Sequence, residues 1–158
     1  MVVIGLGSPF LSDDGIGPRV IRELRRQRLS GARLVEAHAG GLLLVEELTG
    51  ASRAVVVDAL VDEGRRPGEV VVAGIEAATH NAACSHDCDL SQALALGRAL
   101  GLPLPEDEAI LLVAVVAGDV TTFGETLSPA VEAAVPDACV AVGAWLSGEA
   151  HNISAEAP

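Results

Sequence analysis

The chain has 158 residues, half of them hydrophobic, a formal net charge of −12 at pH 7 and a sequence pI near 4.5. That length holds one compact domain with a single core, and the acidic balance excludes a polyphosphate partner, which needs a basic surface. Two phenylalanines, one tryptophan and no tyrosine leave few faces for stacking bases, and the longest apolar run, Ala109 to Ala117, falls far short of the roughly 20 residues of a membrane span, so neither nucleic acid nor a membrane is an expected partner.

The first strand-like run begins at Val2, which leaves no room for the charged and apolar regions of a signal peptide. Three cysteines, an odd number, suit a reducing compartment better than a disulfide framework. The expected location is the cytoplasm.

Val2 to Leu6 reads as a buried strand, Gly7-Ser8-Pro9 as a turn, and the next segment as a helix with Val20, Ile21 and Leu24 on its buried face. Asp13 or Asp14 can cap that helix, and Pro18 fits its first turn. Arg19, Arg22, Arg25, Arg26 and Arg28 gather the positive charge, as a solvated helix face rather than a docking patch. A second strand runs from Arg33 to Ala37, and after Gly40 and Gly41 a short helix covers Leu42 to Leu48.

Ala54-Val55-Val56-Val57 has the continuous β-branched character of a strand buried on both faces, so Asp58 reads as an abrupt polar stop at its end. The charged stretch Asp62 to Gly68 closes on Pro67-Gly68, and the strand Glu69 to Ala73 is expected to return antiparallel by a hairpin. Thr79 to Asp89 is polar and has no period; Leu90 to Leu100 repeats apolar residues at helical spacing. Ala109 to Val116 is the last central strand. Ser128 before Pro129 supplies a capping hydroxyl and an N1 proline for a helix towards Trp145, which Pro136 should kink or split.

Five strands alternating with four helices predict an α/β fold, a single-domain three-layer αβα sandwich over residues 1–148 around a largely parallel sheet. The polar tail 149–158 is expected to fray. In such a fold the loops after the strands share one edge, where ligands bind. Asp14 just after the first strand, Asp58 at the end of another and His86 just before a helix converge there. Two carboxylates and an imidazole suit a borderline divalent ion with an open coordination position.

Each residue also has a plainer role available. One of the adjacent acids is enough for a cap, which leaves the other to project into the cleft; Asp58 could be a turn residue and His86 a loop histidine. The loop His80, Cys84, His86, Cys88 holds enough soft ligands for a zinc site of its own, though its spacing matches no paired C-x-x-C arrangement. Gly5-Leu6-Gly7 invites a dinucleotide, but Phe10 stands where a third glycine belongs and two aspartates crowd the pyrophosphate position. Cys139, among apolar neighbours, reads as core packing, and Ser8, Ser85 and Ser128 as turn or cap residues without a nucleophile elbow.

The run Gly5-Leu6-Gly7-Ser8-Pro9-Phe10-Leu11-Ser12-Asp13-Asp14-Gly15-Ile16-Gly17 resembles the opening of the [NiFe]-hydrogenase maturation endopeptidases. Val55-Val56-Val57-Asp58-Ala59, Ser85-His86 with Leu90 and Leu94, and Leu127-Ser128-Pro129-Ala130-Val131-Glu132 follow in matching order, so the resemblance spans about residues 2 to 147. It implies a cytoplasmic enzyme that removes a short C-terminal extension from the hydrogenase large-subunit precursor once nickel is inserted. Asp14, Asp58 and His86 fall on the family's three metal-binding positions, where they would recognise nickel brought by the substrate; another divalent metal such as zinc also suits the set. Gly40 and Gly41 match the family's substrate loop, but the acid beside that glycine pair is replaced, with His38 nearby. His38, His80, Cys84 and Cys88 are metal-donor candidates of second rank. The competing readings are a non-catalytic nickel- or zinc-binding accessory protein built on His80 to Cys88, and a nucleotide-binding α/β domain.

Overall fold

The computed structural model describes residues 1–38, 40–75 and 90–148. Five strands, β1 (Val2–Leu6), β2 (Arg33–Ala37), β3 (Ala54–Leu60), β4 (Val70–Gly74) and β5 (Ile110–Val116), form one sheet in the order β2-β1-β3-β5-β4. The first four of that order run parallel, and β4 is antiparallel to β5. Four helices complete the described chain: α1 (Ile16–Arg26), α2 (Leu42–Leu48), α3 (Leu90–Ala99) and α4 (Pro129–Ser147).

Side chains alternate across the strands, so the sheet carries two cores. Val3, Val55, Val57, Leu111, Val113 and Val115 pack under α1 and α4, while Val2, Ile4, Ala54, Val56, Leu112 and Ala114 pack with Leu44, Leu48 and Leu94 of α2 and α3. This is the three-layer sandwich expected from the alternation of elements. The continuous apolar runs of β1, β3 and β5 follow from it: both faces of a central parallel strand are covered, and every residue of these three strands is buried.

Three expectations about the chain path need correction. The strand after Pro67-Gly68 does not form a hairpin with β3, because β5 lies between them. Its pairing is with β5, and it begins where the Gly68 N–H donates to the Val116 carbonyl at 2.8 Å. Local turn chemistry marks a reversal but does not choose the partner. Strand β3 continues past Asp58 to Leu60, since β5 offers a partner as far as Val116. Helix α4 is not split at Pro136: Pro136 and Glu132 both face solvent, where water can replace the missing bond, while Val131, Ala134, Val135, Ala138 and Val142 hold the other face on the sheet.

At 19 residues α4 has the length and apolar content to cross a membrane, but its buried stripe is part of the core under β5 and α1. Cys139 lies in that stripe, and burial pushes its thiol up to about 11. The arginine-rich face of α1 is an ion-paired surface: Arg19 reaches Glu132 at 2.7 Å, Arg22 and Arg25 share Glu36, and Arg26 pairs with Glu23.

Candidate active site

The strand order determines where a site can form. From β1 the chain passes through α1 to β2 on one side, then through α2 back across β1 to β3 on the other. The order therefore reverses between β1 and β3, and the crevice beyond their carboxyl ends is the position where open α/β sheets bind ligands. Asp14 lies in a 3-10 turn, Ser12–Gly15, reached directly from β1. Asp58 is the first residue of β3 beyond its pairing with β1, which ends at Gly5 opposite Val57. The turn carrying Asp14 packs on β3, so the two carboxylates flank the switch point.

Both are buried, each with only 2% of its surface exposed. A carboxylate removed from water must be held by hydrogen bonds. Asp14 Oδ2 accepts the Ser8 N–H at 2.6 Å, and Asp58 Oδ1 accepts the N–H of Ala59 at 2.8 Å. Asp58 shares the parity of Ala54, Val56 and Leu60, the β3 positions on the α2 and α3 side of the sheet.

The neighbouring Asp13, fully buried, has a different role that the sequence reading missed. Its carboxylate accepts from the backbone N–H groups of Gly118 at 2.9 Å, Asp119 at 3.2 Å and Ser128 at 2.6 Å, and from the Ser128 hydroxyl at 3.0 Å. It fastens the loop after β1 to the loop after β5 and to the start of α4. Neither aspartate caps α1, whose N-cap is Gly15 with no side-chain hydrogen bond. The hydroxyl of Ser128 likewise does not cap its own helix; it is engaged by Asp13. The signal available in the sequence was the adjacency of the two acids: a 3-10 turn points neighbouring side chains in different directions, one to the loops and one to the cleft.

The Gly5-x-Gly7 pattern also receives a structural account. A Cβ on Gly5 would lie 2.2 Å from the Gly17 carbonyl oxygen, and one on Gly17 would lie 2.2 Å from that of Leu6. These glycines let α1 approach β1 and β3 closely, which brings the Asp14 turn onto the sheet.

His38 follows β2 at the same edge and is exposed, and its Nδ1 lies 3.1 Å from the Gly7 carbonyl oxygen. A carbonyl only accepts, so Nδ1 carries the proton and donates, which in the neutral ring leaves the lone pair on Nε2. Gly41 takes φ 66° and ψ −136° at the N-cap of α2, a conformation that favours glycine. His80, Cys84, His86 and Cys88 lie outside the described residues. Among the described residues no three His, Cys, Asp or Glu side chains gather as a metal-holding group, so His38 does not complete a site with Asp14 and Asp58. A groove of about 330 Å³ opens beside Pro9, Arg19, Leu127 and Glu132, and neither Asp14 nor Asp58 lines it.

The same architecture recurs in known structures. The hydrogenase maturating endopeptidase HybD from E. coli superposes with a TM-score of 0.78 at 23% identity, over 94% of this chain and 93% of that one. The [NiFe] hydrogenase maturation protease HybD from Thermococcus kodakarensis gives 0.73 at 25% identity, over 92% and 97%. An endopeptidase from Escherichia coli gives 0.75 at 22%, over 95% and 94%. No curated protein sequence matches the chain. The sequence model of the HycI family, hydrogenase maturation protease, matches residues 18–145, most of the chain. The family match over most of the chain, with the five-stranded topology in agreement, shows that this chain belongs to the hydrogenase maturation proteases.

Proposed function

We propose that the chain is a cytoplasmic endopeptidase that cuts a short C-terminal extension from a [NiFe]-hydrogenase large-subunit precursor after nickel insertion, with Asp14, Asp58 and His86 reading the substrate's nickel. The observation that carries this reading is the pair of buried carboxylates at the switch point, each positioned by a backbone N–H. Two carboxylates and one imidazole suit a borderline divalent ion and leave it a coordination position for the substrate. The family resemblance assigns the third donor to His86.

Nickel held there supplies Lewis acidity, to the scissile carbonyl or to an attacking water. The chain's own residues do the positioning. The Ser8 N–H fixes one oxygen of Asp14, the Ala59 N–H fixes one oxygen of Asp58, and the sheet beneath sets their separation. A loop tied at both ends by Asp13 keeps the Asp14 turn in place when a large substrate docks.

Incubating the protein with nickel-loaded and nickel-free precursor, and reading the product as a mass shift, tests the assignment. Shortening of the loaded precursor alone is the expected result; a loaded precursor that stays intact overturns it. Metal titration separates the accessory-protein reading, in which occupancy depends on Cys84 and Cys88 and not on Asp14 and Asp58.

A further inference from the structure

The chain has two phenylalanines, and both stand in solvent: Phe10 is 55% exposed and Phe123 is 86% exposed. In a protein so poor in aromatics, hydrophobic burial alone would place both inside. They lie on two loops far apart in sequence that are joined at the carboxyl edge of the sheet. Leu11 and Gly124 form a parallel β-bridge, the Gly124 N–H donates to the Phe10 carbonyl at 3.0 Å, and the Ser12 N–H donates to the Gly124 carbonyl at 2.9 Å. Phe10 and Phe123 are the residues immediately before the two bridged positions, so the bridge brings both aromatic positions to one stretch of that edge.

The support beneath them is rigid. Ser12 Oγ donates to the Thr122 carbonyl at 3.1 Å, and Asp119 Oδ1 accepts from the N–H groups of Thr121 and Thr122. Asp13 holds Gly118 and Asp119 from behind. These exposed rings therefore sit on braced backbone. An aromatic pair presented in this way loses little conformational entropy on binding, the character of an interface anchor.

Its place in the fold indicates the occupant. Phe10 comes two residues after Ser8, whose N–H holds Asp14, so the aromatic edge is continuous with the proposed catalytic edge. We infer that Phe10 and Phe123 form a docking edge for the folded body of the protein substrate, which seats an apolar patch of the precursor against the two rings while its tail reaches the Asp14 and Asp58 crevice. The inference rests on the protein-substrate reading above and adds to it where recognition occurs: on the substrate's body, in addition to its metal.

Phe10→Ser, Phe123→Ser and the double variant, made in the full chain, test it on nickel-loaded precursor. Each single change is expected to raise KM about tenfold, and the double change more, with kcat kept within about threefold; Phe123→Trp should keep the KM of the unmodified protein. Thermal melts check folding, which Phe123→Ser should leave unchanged because that ring is solvent-exposed. An unchanged KM in the double variant overturns the inference, as does sedimentation showing a dimer that the double variant dissociates while KM stays the same. Failure of the unmodified protein to cut the loaded precursor strikes the endopeptidase assignment instead, and is seen before any variant is compared.

Discussion

The Asp13 carboxylate takes both the backbone N–H and the hydroxyl of Ser128, a residue 115 positions away. It closes the loop that carries Asp14 against the start of α4, and it is fully buried. Asp13→Ala would leave three backbone donors and a hydroxyl without their acceptor at a partly buried site. The expected cost is roughly 3 kcal/mol or more, read as a fall in the urea midpoint. Because the lost contacts hold the loop that carries Asp14, cleavage should fall even under conditions where the variant remains folded.

Asp14 and Asp58 should behave in the opposite way. Asparagine keeps the shape and an acceptor oxygen for the Ser8 and Ala59 N–H groups, but removes the charge a cation needs. Asp14→Asn and Asp58→Asn are each expected to lower precursor cleavage at least about a hundredfold while shifting the melting temperature little. A variant of either residue that processes precursor at the normal rate would remove that residue from the site.

Much of this could be read from the chain because local and global signals agreed. The β-branched run Val55 to Val57 had to be a doubly covered strand, and a carboxylate immediately after it had to lie at the edge of the sheet. What was not legible depended on partners distant in sequence. Nothing near Glu69 shows that β4 will pair with β5, and nothing near Asp13 shows that its acceptors serve Gly118 and Ser128. Asp58 was placed on the correct strand but as its last residue, whereas β3 runs on to Leu60, an extension imposed by β5.

Gly17 tests the close packing of α1 on the sheet. An added methyl would meet the Leu6 carbonyl oxygen at 2.2 Å and the Val57 oxygen at 2.7 Å, backbone atoms that cannot move aside. Gly17→Ala should therefore destabilise by roughly 3 kcal/mol or prevent folding, at the upper end of overpacking costs. Gly143→Ala, where nothing lies within 4 Å of the added Cβ, is the control and should be neutral or slightly stabilising through helix propensity. Denaturant titration of the pair distinguishes steric exclusion from a general effect of replacing glycine.

Glu23 provides a pH signature on the surface of α1. Hydrogen bonds from Arg26 first and Gln27 second hold its carboxyl at about 2, against an ordinary 4.5. A folded-state value below the unfolded one stabilises the fold above pH 4.5, and the contribution is lost as pH falls through about 2. The Arg26 partner is exposed at the protein surface, so the effect is small and screened by salt. Comparing the protein with Glu23→Gln from pH 6 down to pH 2, the stability difference should shrink across the interval from 4.5 to 2. High salt should reduce it at pH 6 as well. A difference that is constant with pH would mean that Glu23 acts by packing alone.

His38 separates two roles at the edge of the site. Its Nδ1 proton engages the Gly7 carbonyl, one residue before the Ser8 N–H that holds Asp14, so a positioning role acts through the loop, whereas a metal or proton-transfer role acts through Nε2. Asparagine can offer a side-chain N–H near the place of Nδ1 but has no counterpart to Nε2. If the hydrogen bond is what matters, His38→Ala lowers cleavage about two- to tenfold, the value of one such bond, and His38→Asn restores most of it. The rescue is the expected outcome, because His38 joins no three-donor group among the described residues. Failure of asparagine to rescue, together with a changed metal dependence of cleavage, would move His38 from positioning the loop to contacting the reacting centre.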